Sequence, residues 1–193
     1  MLPQNIFLSL VVFTVALLSV SSAFSQNAPP DMSSLTAEQL RTLSIRFERT
    51  GCYGNCPAYT LTIHGNGQVE YEGLTNVKKT GKASGTIEDA DLRAILSAFA
   101  KSDFYSVGEN VSQSKCTCRQ CTDLPTIRIA IEVAGSGHKV DHYHGCGCAT
   151  KELWKLEDEI DRIVKTSQWT GDVSKAGPYG MTCWDPPPTK PKQ

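Results

Sequence analysis

The sequence predicts an α+β fold: an antiparallel sheet built from hairpins, with two amphipathic helices packed on one face and disulfide staples. Three observations predict it. Short segments of alternating apolar and polar residues recur along the chain, as is typical of half-buried strands. Two longer segments carry apolar residues at helical spacing. The strand-rich order with two helices then indicates helices segregated to one face of a sheet.

The first predicted elements lie between residues 36 and 87. Thr36 starts a short helix that ends near Leu43, and SIRFERT (44–50) alternates as a strand. The segments AYTLTI and QVEYEG, within 58–73, form a hairpin across an HGNG turn. The polar stretch NVKKTGKASGTI supplies an edge strand, because its lysines discourage edge-to-edge pairing.

The second half contains both long helices and another hairpin. One helix is predicted over 87–101 with Thr86 as its N-cap, and the other over 151–165 with Thr150 as its cap. Between them TIRIAIEV and HKVDHYH pair across the turn AGSG, with paired residue numbers that sum to about 271–272. The helix carboxylates are expected on solvated faces; they are Asp89, Asp91, Glu157, Asp158, Glu159 and Asp161.

The N-terminal segment predicts export. Ile6 to Val20 is an uncharged apolar run, and small residues after it offer cleavage sites after Ala23 or Ser25. The run is shorter than the roughly 20 residues of a membrane-spanning helix. We therefore expect a periplasmic or secreted protein without a membrane anchor after cleavage. The expected organisation is a signal peptide (1–25), a linker with a short helix (26–43), a single α+β domain (44–169) and a proline-rich tail (170–193).

The charge balance argues against two classes of partner. The chain has 19 basic and 20 acidic residues, a net charge of −1. Such a chain offers no basic field for nucleic acid and no polybasic attachment to a membrane surface.

Cysteines and histidines are concentrated in two short segments, CTCRQC (116–121) and HYHGCGC (142–148). The predicted hairpin places both segments at the same end of the hairpin, and Cys183 brings the chain back to them. Three interpretations are open: a disulfide clip, a zinc or copper site, and a redox dithiol. An oxidising compartment favours the clip, without a metal, in which Cys146 and Cys148 are each bridged to a cysteine of 116–121 or to Cys183. The ligands of the metal alternative would be His142, His144, Cys146, Cys148, Cys116, Cys118 and Cys121.

The face on which His142 and His144 lie is open at this point, because a register shift of one residue moves both side chains from solvent to the core.

The stretch SIRFERTGCYGNCPAYTLTIHGNGQVEYEG (44–73) resembles a bacterial family known only as a domain of unknown function. Its members open with the motif R-T-x-C-x-G-x-C-P-x-Y. The likeness continues through TDLPTIRI and the helix LEDEIDRI to Trp169, over about residues 44–169. The other six cysteines and the tail depart from the family pattern. The motif is matched here by Arg49, Thr50, Cys52, Gly54, Cys56, Pro57 and Tyr59.

The resemblance implies that Cys52 and Cys56, the two cysteines within the motif, pair with each other or act together. The bridge is expected to be structural, closing a tight loop between two strands; a redox-active or ligand-binding loop is the alternative. Arg49 and Tyr59 flank the loop and are able to hold a carboxylate. All eight cysteines are expected in disulfides; they are Cys52, Cys56, Cys116, Cys118, Cys121, Cys146, Cys148 and Cys183.

Two functional hypotheses follow. The first is an exported, non-enzymatic module that binds a protein, a peptide or an envelope component. The second is a thiol-redox or metal-binding protein of the cell envelope that uses Cys52 and Cys56 or the cluster 116–148. The sequence carries no G-x-S-x-G, H-E-x-x-H, P-loop or dinucleotide-binding motif, so we assign no catalytic residue and favour the first hypothesis.

Overall fold

The computed structural model describes residues 30–111, 120–145, 149–171 and 183–184. Its strands, in chain order, are β1 (Ser44–Arg49), β2 (Ala58–His64), β3 (Gln68–Thr75), β4 (Gly81–Thr86), β5 (Asn110–Val111), β6 (Gln120–Cys121), β7 (Thr126–Val133), β8 (Ser136–Tyr143) and β9 (Cys183–Trp184). Its helices are α1 (Ala37–Arg41), α2 (Asp89–Lys101), α3 (Lys151–Val164) and α4 (Ser167–Thr170), with a 3-10 turn at Phe104–Ser106.

Seven strands form one mixed sheet in the order β4-β3-β2-β1-β7-β8-β5. The first six are joined antiparallel, and β5 runs parallel to β8 at the far edge. Strands β6 and β9 form a separate two-stranded ladder. β1 is central because it pairs with both hairpins, β2–β3 on one side and β7–β8 on the other.

One face of the sheet carries the core. The burial of β7 alternates strictly over Ile127, Ile129, Ile131 and Val133, because successive side chains of a strand point to opposite faces. Both long helices cover this face with their apolar stripes. The stripe residues are Leu92, Ile95, Leu96 and Phe99 on α2, and Leu153, Leu156, Ile160, Ile163 and Val164 on α3.

The predicted α+β architecture is confirmed. The edge strand is present as β4, and Thr150 caps α3 by accepting a hydrogen bond from the Leu153 amide. No described helix is long and apolar enough to cross a membrane. The predicted signal peptide and most of the tail lie outside the described residues.

The predicted register of the second hairpin is wrong. Thr126 pairs with Tyr143 and Val133 with Ser136, so the paired residue numbers sum to 269. The turn is the two-residue loop Ala134–Gly135, and both residues have positive φ, 51° and 76°. Backbone twist favours two left-handed residues in a tight hairpin, and Ala134 accepts that conformation although it is not a glycine.

Two further predictions need correction. Glu88, and not Thr86, is the N-cap of α2, and it makes no capping hydrogen bond with its side chain. The sheet is mixed, because the two-residue strand β5 joins it in parallel. A two-residue strand is too short to show the alternation of apolar and polar residues from which a strand is predicted.

Candidate functional site

One row of residues across the sheet brings polar side chains to the buried face. Arg49 on β1 pairs with Tyr59 on β2 and with Ile127 on β7, and Ile127 pairs with His142 on β8. Residues directly opposite each other on neighbouring strands share a face. Because Ile127 is in the core, Arg49, Tyr59 and His142 all point toward the helices.

Helix α3 presents two carboxylates to this row. Glu157 and Asp161 lie four residues apart and therefore on one side of the helix. Glu157 is fully buried, and Asp161 is 14 % exposed. The prediction that these two carboxylates lie on a solvated face is wrong. Glu157 continues the apolar stripe, four residues after Leu153 and three before Ile160.

Asp161 is the middle of a fully partnered cluster, the Asp161 centre, formed by Arg49, Tyr59, Asp161 and Thr166. Arg49 donates to Asp161 Oδ2 at 2.9 Å. The Tyr59 hydroxyl and the Thr166 hydroxyl both donate to Asp161 Oδ1. Arg49 and Tyr59, which flank the motif loop in the sequence, thus hold a carboxylate that arrives from a helix about a hundred residues later.

The pKa values of the two residues that flank the loop, Arg49 and Tyr59, are both raised in the Asp161 centre. Burial raises the pKa of Tyr59 well above its ordinary value, and the adjacent Asp161 charge raises it further. Burial alone would lower the pKa of the Arg49 guanidinium, but its contacts with Tyr59 and Asp161 raise it above its ordinary value. The centre therefore holds a neutral phenol and a cation against one carboxylate.

Glu157 joins two histidines in a second cluster, the Glu157 centre, formed by His142, His144 and Glu157. Glu157 Oε1 lies 2.6 Å from His142 Nδ1, and Oε2 lies 2.7 Å from His144 Nε2. His142 is 1 % exposed and His144 is 14 % exposed. The structure thus places His142 on the core face, with its ring 4.8 Å from that of His144 between ring centroids.

Trp154 covers the Glu157 centre from α3, one helical turn before Glu157. Its ring centroid lies 4.6 Å from that of His142 and 4.1 Å from that of His144. Trp154 is itself half-buried, so its indole separates the two imidazoles from solvent on that side.

The pKa values in the Glu157 centre reflect competition between burial and hydrogen bonding. Burial raises the pKa of Glu157, but the hydrogen bonds and charges of His142 and His144 together outweigh burial and lower it. The pKa of His144 is lowered, chiefly by burial and also by the nearby Arg49 and His142, although the Glu157 contact raises it. An ionised Glu157 beside a neutral His144 is the resulting state near neutral pH.

The Glu157 centre also contains an unpartnered atom. His142 Nε2 is buried and has no hydrogen-bond partner in the described part of the chain. A buried polar atom without a partner costs roughly 1–3 kcal/mol, so its presence calls for a physical explanation.

Beside the polar row, a disulfide closes the motif loop. Cys52 and Cys56 are bonded, with their Cα atoms 5.5 Å apart. The Tyr53 amide donates to the Asp123 carbonyl at 3.0 Å. The side-chain amide of Asn76 donates through Nδ2 to the carbonyls of Gly54 and Cys56, both at 3.2 Å. The loop is therefore tied to two neighbouring segments as well as across its own ends.

The two cysteine-rich segments, 116–121 and 142–148, contact each other as the sequence predicts, so far as the structure describes them. The Cys121 amide donates to the Gly145 carbonyl at 2.8 Å, and β6 and β9 pair Cys121 with Cys183. Gly145 is required there, because a Cβ atom would lie 2.1 Å from the Cys121 carbonyl oxygen. Cys121 is disulfide-bonded. The predicted bridges and the alternative metal ligands at Cys116, Cys118, Cys146 and Cys148 lie outside the described residues.

Comparison with known proteins adds a family but no activity. The model of a family described as "Domain of unknown function (DUF6438)" matches residues 43–164. The chain belongs to this family. No curated protein matches the chain. The matched range spans β1 to the end of α3, so the family domain contains the Glu157 centre, the disulfide loop and every residue of the Asp161 centre except Thr166.

Sequence reasoning missed Glu157 and Asp161. A signal for Glu157 was present, because it lies between Leu153 and Ile160 on the stripe that the sequence assigns to the core. A carboxylate on a core stripe requires a partner. The partners His142 and His144 stand in the H-x-H pattern that the sequence does single out.

Proposed function

We propose that the protein is an exported, non-enzymatic binding module that uses the Cys52–Cys56 loop to bind a protein or peptide partner. The observation that carries this proposal is the position of two large exposed hydrophobic side chains. Tyr53 is 67 % exposed within the loop, and Leu74 is 51 % exposed on the strand that leads to Asn76. Tyr53 lies in the loop itself, and Leu74 lies two residues before Asn76, whose side chain contacts the loop. They are the only large hydrophobic side chains exposed in the described part of the chain.

The loop has the properties of a preorganised binding element. It is held by the disulfide, by the Asp123 carbonyl and by the Asn76 amide. A loop that is rigid before binding loses little conformational entropy when a partner binds. Tyrosine supplies a large contact area with few rotatable bonds and is enriched at interfaces. These features support a recognition surface at Tyr53 and Leu74.

The disulfide itself favours a structural role over redox activity. A reactive cysteine is partly exposed in an electropositive environment. Cys56 is buried, 5 % exposed, and Cys52 is half-buried, but the cation of Arg49, three residues before Cys52, is already paired with Asp161. Export is supported by the Ile6–Val20 run and by disulfide chemistry, since disulfides persist in oxidising compartments.

Site-specific crosslinking tests the binding surface. A photoreactive phenylalanine analogue replaces Tyr53 in the full chain, expressed in its native host, and a second protein carries the analogue at Arg41, an exposed position on α1. We expect an adduct of defined mass from position 53 only, and Leu74→Asp should abolish it. The same adduct from both positions, or none above background, would exclude the loop as the binding surface.

The export half of the proposal is tested separately by intact mass. The protein isolated from the envelope or medium should begin after Ala23 or Ser25 and should react with no thiol reagent before reduction. A chain recovered there with residues 1–25 still attached would contradict the predicted cleavage.

A further inference from the structure

We infer that His142 and His144 bind one divalent transition metal ion of the zinc type, with Glu157 as the carboxylate that orients both rings. This site is independent of the proposed loop surface. It shares the two histidines with the metal alternative of the sequence analysis but needs none of its cysteines. It requires only side chains that the structure describes.

The residues are already gathered. His142, His144 and Glu157 each offer a ligand atom, and these atoms lie within 4.8 Å of one another. The H-x-H spacing on β8 brings two imidazoles to neighbouring positions, and α3 supplies the carboxylate beneath them. The ligating nitrogens of the two rings would lie at roughly 2.0–2.1 Å from a zinc ion.

The hydrogen bonds leave a lone pair on each ring. A carboxylate only accepts hydrogen bonds, so His142 donates through Nδ1 and His144 donates through Nε2. In each neutral ring the other nitrogen then carries a lone pair. For His142 that atom is Nε2, which is buried and without a partner among the described residues.

An imidazole that donates one N–H to a carboxylate and directs its second nitrogen to a metal is a recurrent arrangement in metal sites. The carboxylate fixes the tautomer, holds the ring and makes the ligating nitrogen more basic. Glu157 performs this role for two rings at once, and its negative charge offsets part of the charge of a bound dication. Imidazole ligands suit zinc, copper and nickel rather than magnesium or calcium.

His138 is a partly buried histidine whose ring nitrogen has a structural partner. It is half-buried beside Phe104, and its Nε2 lies 2.8 Å from the Val107 carbonyl. His142 is more deeply buried, yet the corresponding atom has no partner. A metal ion explains the difference, because it is a partner for a lone pair that a donor does not reach.

Zinc binding to the purified mature protein tests the site. Any free thiols are first alkylated without reduction, so that cysteines contribute no ligands, and zinc is then titrated by calorimetry with metal content measured after dialysis. We expect one equivalent in the wild-type protein. His142→Phe should weaken binding by more than about 100-fold, and Glu157→Gln by about 10- to 100-fold.

A second histidine–glutamate pair supplies matched controls. His64 Nε2 lies 3.2 Å from Glu70 Oε1 at the surface, and among the described residues no further His, Cys, Asp or Glu joins this pair as a metal-binding group. His64→Phe and Glu70→Gln should leave zinc affinity within twofold of wild type. Absence of stoichiometric zinc in the wild-type protein, or equal losses in the control variants, would overturn the site.

Copper spectroscopy keeps the test valid if the His142 variant does not fold. Cu(II) replaces zinc in the alkylated wild-type protein, and electron paramagnetic resonance counts the coordinated nitrogens. We expect the signature of two imidazole nitrogens. A copper signal without imidazole coupling would overturn the assignment of His142 and His144 as ligands.

Discussion

The Asp161 centre and the Glu157 centre are neighbours with opposite properties. Both take a carboxylate from the same side of α3, and both lie on the row of strand residues that begins with Tyr59 and Arg49 and ends with His142. Asp161 receives three side-chain hydrogen bonds, including one from a cation. The Glu157 centre contains two histidines around one carboxylate and leaves His142 Nε2 without a described partner.

The difference separates a stabilising cluster from a binding one. In the Asp161 centre every charge meets an opposite charge or a donor, which is the condition for a buried ion pair to be tolerated. In the Glu157 centre the same fold retains an atom whose burial is unfavourable by itself. Polar groups that are buried but incompletely satisfied tend to occur at functional sites. We therefore expect the two centres to respond differently to substitution, to metal and to pH.

The largest expected effect is on stability, in the Asp161 centre. Arg49→Met removes the cation from a pair whose side chains are 16 % and 14 % exposed. Breaking such a pair leaves Asp161 without a counter-charge, so the free energy of unfolding should fall by about 3 kcal/mol. Urea denaturation followed by circular dichroism measures this change.

An exposed ion pair is the control for Arg49. Arg41 and Glu38 lie 3.0 Å apart on α1, with both side chains more than three-quarters exposed. Arg41→Met should change the urea midpoint little, because exposed pairs contribute little to stability. Equal effects of the two substitutions would mean that the Asp161 centre does not stabilise the fold.

The next effect should appear only in the Glu157 centre. Zinc at 100 times its dissociation constant should raise the free energy of unfolding by about 2.7 kcal/mol in the wild-type protein. In Glu157→Gln the same zinc concentration should yield only about 0.4–1.4 kcal/mol, as follows from a 10- to 100-fold weaker affinity. Arg49→Met should keep most of the gain, although it starts from a lower stability. Thermal or urea unfolding with and without zinc measures all three.

The fold was largely predictable, because local patterns determine it. Alternation over 126–133 and the apolar stripe of α3 each identify an element without knowledge of its neighbours. The register of the β7–β8 hairpin was not predictable, because AGSG allows several loops and the observed one places Ala134 at positive φ. The parallel strand β5 depends on a tertiary contact with Asp141 and His142, which no local pattern encodes.

Only the strand residues of the candidate site were predictable from the sequence. The sequence draws attention to H-x-H at 142–144 and to Arg49 and Tyr59, but assigns the helix carboxylates to solvent. Their partners lie on strands about 15 and 100 residues away, and only the packing of α3 on the sheet brings them together. A burial argument from the stripe position of Glu157 would have found one of the two.

A pH-dependent effect should distinguish the Asp161 centre at alkaline pH. The pKa of Tyr59 is raised in the folded protein by burial and by Asp161, whereas an unfolded tyrosine ionises near pH 10. Above about pH 10 the unfolded chain therefore loses a proton that the folded chain keeps, and stability falls as pH rises. The loss should approach about 1.4 kcal/mol per pH unit for this group.

Tyr59→Phe isolates that contribution. Between pH 8 and 9.5 the urea midpoints of wild type and variant should differ by a constant amount. Above about pH 10 the two midpoints should converge. Burial also raises the pKa of Tyr71 and Tyr105, so both proteins lose stability in this range and only their difference is informative. Parallel profiles up to pH 11 would show that Tyr59 ionises alike in the folded and unfolded chains.

The smallest expected effect on stability belongs to Tyr53, which lies four residues after Arg49 and outside both centres. Its side chain is 67 % exposed, and its backbone amide, not its ring, makes the hydrogen bond to Asp123. Tyr53→Ser preserves that amide and the Cys52–Cys56 bond, so the free energy of unfolding should change by less than about 0.5 kcal/mol. The zinc affinity should stay unchanged as well. When the photoreactive group replaces Leu74, Tyr53→Ser should abolish the crosslink to the partner. A loss of stability comparable to that of Arg49→Met would instead show that the Tyr53 ring stabilises the fold. The exposure of Tyr53 would then no longer support a binding surface at the loop.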